Sequence, residues 1–443
     1  MKLGSAQKNT GKSNKNDIHG WVGIAGLSLV LLGFPAHGQT RITSPLTIES
    51  LYAAVNTTHP LLQAARIEAQ AGLLDVNAVE RQRWPTVSAV VESNTGNTST
   101  LPSHSLRVQQ VLWDGGLVSS RISEAENQVI ISKLRVQLQQ RQLFLQITNG
   151  WQALLSANAR LQVAQKTMER LNGFKVQMQR RVDAEASSPI DLVLVNSRQL
   201  QTQVELEAAQ RNLKVALNKL EQLSGEVNLR QRLGNLAAWP TLPSAALFAD
   251  QLQRLDWIDL ATRAPAVQIA RSDVVSAHNR LRTKEAERWP QLYVRIDKPV
   301  GNHYLNANNS TVTFAGVSYT PGAGFANVVE AQALTQRIAR SEQGVDAAMK
   351  DIQESLQNDR EEFLNAYAQI TALEKSVSGS DLVLASFERQ FQANRKTWLD
   401  LLNQVRELAQ NEYALVDAQA SLVASRLRLE IHMDLHTSAT AQP

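Results

Sequence analysis

The sequence predicts a mainly α-helical chain with a membrane β-barrel, assembled from a duplicated helix, hairpin, long helix, helix unit. Three observations predict it. Apolar residues recur every seven positions over tens of residues. Two short segments alternate polar and apolar residues and have aromatic feet. A set of landmarks returns about 205 positions downstream.

Composition narrows the class. The chain has 443 residues, 43% of them hydrophobic, which is enough apolar surface to exclude global disorder. Cysteine is absent, so a disulfide scaffold and any thiolate metal or redox site are excluded. The net charge of +4 misleads, because Lys2, Lys8, Lys12 and Lys15 against Asp17 supply most of it before residue 39. The near-neutral remainder is no footprint for nucleic acid.

Residues 2–20 are basic and polar, Ile18 to Phe34 form a short apolar run, and Ala36 and Gly38 stand where a small-x-small cleavage site requires small residues. This is the layout of a secretory signal peptide spanning residues 1–38. A membrane anchor would need about 20 apolar residues. No later stretch of 18 apolar residues exists. An exported chain without a spanning helix is soluble, peripheral or a β-barrel.

The repeat organises the rest. His59-Pro60-Leu-Leu-Gln-Ala-Ala-Arg66 matches Ala264-Pro265-Ala-Val-Gln-Ile-Ala-Arg271, and Glu80-Arg-Gln-Arg-Trp84-Pro85 matches Glu285-Ala-Glu-Arg-Trp289-Pro290. Gly115-Gly116 answers to Gly322-Ala323-Gly324, and Asp191-Leu192 to Asp400-Leu401. The expected organisation is a first repeat over 39–235 with a hairpin at 86–112, and a second over 257–435 with a hairpin at 291–319. An inter-repeat linker covers 225–256, and a disordered tail 436–443.

Leu292, Val294 and Ile296 alternate with polar residues after Trp289-Pro290, which indicates a strand with one apolar face. Thr311 to Tyr319 returns as its partner across the polar loop 299–310. Residues 86–92 and 105–112 flank the loop 93–104 in the first repeat. Strands of about 8–10 residues suit a tilted membrane crossing. Trp84, Trp113, Trp289 and Tyr319 sit at the hairpin ends away from the loops, where a membrane–water boundary would hold an amphipathic ring. The alternative for these four is to cap a soluble core. Four strands cannot close a membrane barrel, and an open edge is not tolerated in lipid, so several chains must pool their strands. Three chains would give 12 strands, even and in range.

Met349, Leu356, Phe363, Ile370, Val377, Leu384, Phe391 and Trp398 fall seven apart, as do Leu401, Leu408, Leu415, Leu422 and Leu429. Ile147, Leu154, Leu161 and Met168 repeat the pattern beside Ala157, Ala164, Leu171 and Met178. Such spacing means knobs packed between residues of a facing helix. Leu117 to about Asp183 and Phe325 to about Asn394 should be rods of about 100 Å. Two shorter pieces (189–223 and 257–288) match one rod in length. The breaks at 183–191 and 393–400 form the far tip, with Ser188 and Thr397 suited to capping and Asn394 to a left-handed turn.

No enzyme, cofactor or metal site is expected. The histidines lack metal-ligand spacing, and His432 and His436 are read as a frayed helix end. No nucleophile elbow or phosphate-binding Gly-rich Lys-Ser/Thr loop occurs.

His59-Pro60, the two Trp-Pro pairs, Val111-Leu-Trp113-Asp-Gly115-Gly116, and Asp191 and Asp400 after helical breaks, in this order and spacing, resemble the TolC-like outer membrane factors over about residues 46–435. The resemblance implies a homotrimer. Its 12-stranded barrel would span the outer membrane, and its α-helical barrel would cross the periplasm. The tip would meet a periplasmic adaptor, a membrane fusion protein, joined to an inner-membrane ABC or proton-driven transporter. The stretch Arg395 to Leu415 resembles members serving type I secretion of adhesins, with drug efflux as the alternative. A soluble periplasmic coiled-coil adaptor or structural protein is the alternative of another class. Tip and gating candidates are Arg180, Arg181, Asp183, Glu185 and Asp191 at one turn, and Arg389, Arg395, Lys396 and Asp400 at the other. The family often has glycine where this chain has Glu185 and Asn394.

Overall fold

The computed structural model describes residues 46–92, 103–227, 229–233, 242–300, 310–320 and 323–435. The expected signal segment 1–38, the expected disordered tail 436–443, most of the two hairpin loops and part of the linker lie outside them.

Helices α1 (Ile48–Thr58) and α2 (Pro60–Glu80) lead through a 3-10 turn at Arg81–Arg83 into β1 (Thr86–Glu92) and β2 (Ser103–Trp113). Then come α3 (Leu117–Asp183) and α4 (Pro189–Ser224). Two further helices, α5 (Leu229–Arg232) and α6 (Leu242–Arg254), occupy the linker. The same order then returns: α7 (Trp257–Arg263), α8 (Pro265–Ala286), β3 (Gln291–Pro299), β4 (Val312–Ser318), α9 (Ala326–Gln392) and α10 (Trp398–His432). Helices α3 and α9 each have 67 residues, so each is a rod of about 100 Å. No described helix is long and apolar enough to cross a membrane.

The sequence reads 257–288 as one helical piece, and the structure divides it at Ala264-Pro265. A residue before proline is pushed out of the helical region, and Ala264 has ψ 136°. His59 before Pro60 behaves alike, with ψ 123°, and its ring accepts a hydrogen bond from the Leu61 N–H. Each proline then begins its helix, where a missing donor is harmless.

Helix α3 runs along α4, α10, α2 and α8, while α9 runs along α10 and α8. The heptad rows are the seams of this packing. Ile147, Leu154, Ala164, Leu171, Met178, Leu356, Phe363, Ile370, Leu401, Leu408 and Leu429 are essentially inaccessible. Each fully buried Leu or Ile contributes about 1.5–3 kcal/mol. The linker is a packed element: Phe248 and Leu252 of α6 sit against Phe363 and Ile370 at mid-rod. Tyr52 fastens α1 to α3, its hydroxyl 2.6 Å from Thr148 Oγ1 and its ring stacked on Phe144.

The expected frayed end at His432 is corrected. Helix α10 stays packed through its last turn, with His432 only 5% exposed and its Nε2 3.7 Å from Asp359. Burial, aided by the nearby Arg141, pushes this imidazole down to about 4, so it is neutral at ordinary pH. His436 lies outside the described residues.

Candidate membrane sheet and tip turns

The strands form one antiparallel sheet in the order β1-β2-β3-β4. The two hairpins are therefore joined by a β2–β3 ladder between the repeats, running from Ser105↔Pro299 to Trp113↔Leu292 with a bulge between Val111 and Trp113. Register sorts the side chains. Val87, Ala89 and Val91 share a face with Leu106, Val108, Val294, Ile296, Ala315 and Val317. Ser88, Ser105, Arg107, Gln109, Arg295, Asp297 and Ser318 share the other, interspersed with Val90, Val111, Tyr293, Val312 and Phe314. Val87, Leu106, Ile296 and Val317, one on each strand, are all exposed, so an apolar surface is left bare across the sheet. On the polar face Asp297 accepts a hydrogen bond from Arg107 Nε at 3.0 Å and forms an ion pair with Arg295, whose Nε lies 3.1 Å away. Arg295 also lies 4.5 Å from the Phe314 ring centroid. Sequence reasoning missed this cluster, although charges at alternate positions 295 and 297 were its signal. The outer edges of β1 and β4 have no partner among the described residues.

All four predicted aromatics lie at the strand ends opposite the loops and are exposed: Trp84, Trp113, Trp289 and Tyr319. Trp113 meets Trp289 edge to face at 6.4 Å. Below them Asp114 caps α3, accepting from the Gly116 and Val118 N–H groups. Gly115 has φ +65°, and a Cβ there would come within 2.8 Å of Trp289 Cβ, so the turn requires glycine.

At the other end, the first tip turn places Glu185 at φ +56° and closes with Ala186 N–H donating to the Arg181 carbonyl. Ser188 caps α4 through Ile190 N–H, ahead of Pro189. The second turn places Asn394 at φ +55°, with Arg395 N–H on the Gln390 carbonyl. Here Thr397 and Asp400 form a reciprocal capping box. Those bonds, helped by Lys396 3.9 Å away, hold the Asp400 carboxyl below its ordinary value.

Lys396–Asp400 is the one ion pair among the predicted tip residues in the described structure. Arg180, Arg389 and Arg395 are exposed, and Asp183 accepts from Gln179 of its own helix. The two turns are instead joined by a guanidinium and an indole. Arg181 lies over the Phe391 ring and donates to Asn394 Oδ1 at 2.8 Å. Trp398 packs on Phe174 and Phe391, and its Nε1 donates to the Asp191 backbone carbonyl at 2.9 Å. The sequence places Trp398 in the heptad row, and only the folded structure shows its second partner.

No family model matches the chain. A curated relative, the outer membrane efflux protein BepC of Brucella suis biovar 1 (strain 1330), is 19% identical over 421 residues, covering 92% of this chain and 89% of its own. A Pseudomonas aeruginosa membrane protein superposes with TM-score 0.74 at 16% identity, covering 87% of this chain and 90% of that one. The Vibrio cholerae outer membrane protein VceC gives TM-score 0.74 at 13% identity, covering 87% and 95%. The chain has the fold of the TolC-like outer membrane factors. The same matches support the expected location, in the outer membrane and reaching into the periplasm. The open Neisseria gonorrhoeae MtrE outer membrane channel, with TM-score 0.68 at 14% identity over 87% of this chain and 88% of that one, shares the fold.

Proposed function

We propose that three copies pool their sheets into a 12-stranded barrel and their rods into an α-helical tube, forming a passive exit duct. One observation carries this reading: a four-stranded sheet with one mainly apolar face, one mainly polar face and two outer edges that have no partner among the described residues. In lipid such edges must pair, and the β1 edge of one copy is the available complement to the β4 edge of the next. The apolar face then meets acyl chains, and the Arg107–Asp297–Arg295 cluster faces the lumen. The duct works with a periplasmic adaptor at the tip and an energised inner-membrane transporter, and has no catalytic role of its own.

For the cargo, the segment from Arg395 to Leu415 favours protein export by the type I route. Small-molecule efflux is the second reading, favoured by the relative described as an efflux protein. Deleting the chain separates them: loss of a large secreted protein supports the first, and drug sensitivity with an intact secretome supports the second. The duct itself is tested by extraction. Detergent-dependent trimers with stepwise conductance in planar bilayers support it, and a monomer soluble in plain buffer would overturn it.

A further inference from the structure

At the foot of β2 a cleft of about 210 Å³ opens between the 3-10 turn and the start of α3. Gln82 and Arg83 line one side, and Leu112, Trp113 and Val118 the other. Leu112 is exposed, and Trp113 stands opposite Leu292 on the apolar face of the sheet. The polar side is cationic. Arg81 and Arg83 are exposed and make no ion pair among the described residues. The one carboxylate lining the cleft, Asp114, is committed to the first N–H groups of α3. The Arg-Trp-Pro triplet at this foot recurs at Arg288-Trp289-Pro290, where Arg288 is likewise exposed.

We propose that this cleft binds the phosphate headgroup of an anionic phospholipid in the periplasmic leaflet of the outer membrane. Arg83 takes two phosphate oxygens in a forked pair of charge-assisted hydrogen bonds. Leu112 and Trp113 receive the start of the acyl chains, a wall that a free phosphate ion would leave unused. The inference rests on the proposed seating of the apolar face in lipid.

The test titrates the detergent-solubilised full chain with phosphatidylglycerol or phosphatidylcholine and counts bound lipid by native mass spectrometry. Wild type should prefer phosphatidylglycerol at least about fivefold, because phosphatidylcholine carries the same phosphate but adds a quaternary ammonium that the exposed guanidiniums repel. Arg83→Gln should lower that preference at least about threefold, and Arg83→Lys should fall between the two, since the ammonium keeps the charge but loses the fork. Millimolar inorganic phosphate should leave lipid binding unchanged. Absence of the preference in wild type, its persistence in Arg83→Gln, or displacement by inorganic phosphate would overturn the proposal. A chain that trimerises in detergent yet shows no headgroup preference sinks this inference alone. A chain that needs no detergent sinks the membrane seating beneath it.

Discussion

The two tip turns occupy matching places in the two halves and are held differently. Ser188, Pro189 and Asp191 stand in the first where Thr397, Trp398 and Asp400 stand in the second. The first is a capped, proline-started turn whose Ile190 and Val193 are exposed. The second carries a capping box and a tryptophan that is 4% exposed and reaches back to Asp191. One framework thus supports an anchored turn beside a lightly held one. Any motion that separates the two turns within one chain has to release the contacts of Trp398 and Arg181 first.

The largest effect should come from Trp398→Ala. Loss of a buried indole costs about 3–5 kcal/mol, and hydrogen exchange should speed up in the first turns of α10 and the last of α3. Pro189→Ala, at the matching place, should leave exchange nearly unchanged, and equal effects would erase the distinction. Next, Arg181→Gln removes the bond to Asn394 and the contact with Phe391. In the proposed trimeric duct, single-channel conductance should rise, while Arg180→Gln, beside it and exposed, should not change it. Thr397→Ala should cost about 1 kcal/mol of local stability as a lost cap.

Asp400 adds a pH signature. Its carboxyl is lowered in the fold, so its stabilisation is complete above the ordinary carboxylate range and fades as pH falls through the lowered value. Asp400→Asn should abolish that acid dependence at the second turn and leave the first turn's profile as it was. The smallest effect is conformational. Glu185→Gly should stabilise the first turn by about 0.5 kcal/mol, because relief of the left-handed strain on a residue with a Cβ is partly offset by the freedom glycine gains in the unfolded chain. Asn394→Gly should gain less, since asparagine tolerates that region. A thermal melt of each variant ranks them.

Much of this was legible in sequence because it is local. The limits of α3, the Ser188 and Thr397 caps and the left-handed Asn394 follow from heptads, turn chemistry and proline. The β2–β3 ladder was not, because pairing Arg107 with Asp297 joins residues 190 positions apart. The burial of His432 depends on α9 supplying Asp359 beside it, and the indole of Trp398 on the Asp191 carbonyl from the other half. The break at Ala264 was written in Pro265, whose steric effect on its predecessor was outweighed by the surrounding helical pattern.

The account stands on strand β1 of one copy pairing with β4 of another. The chain has no cysteine, so Ala89→Cys on β1 combined with cysteine at Thr313, Ala315 or Val317 on β4 reports that pairing without background. Within one chain these edges lie three strand spacings apart, about 14 Å, too far for a disulfide. Oxidation in membranes should produce covalent dimers and trimers from at least one double variant and none above the dimer from the single variants. Monomer alone from every combination would contradict the shared barrel.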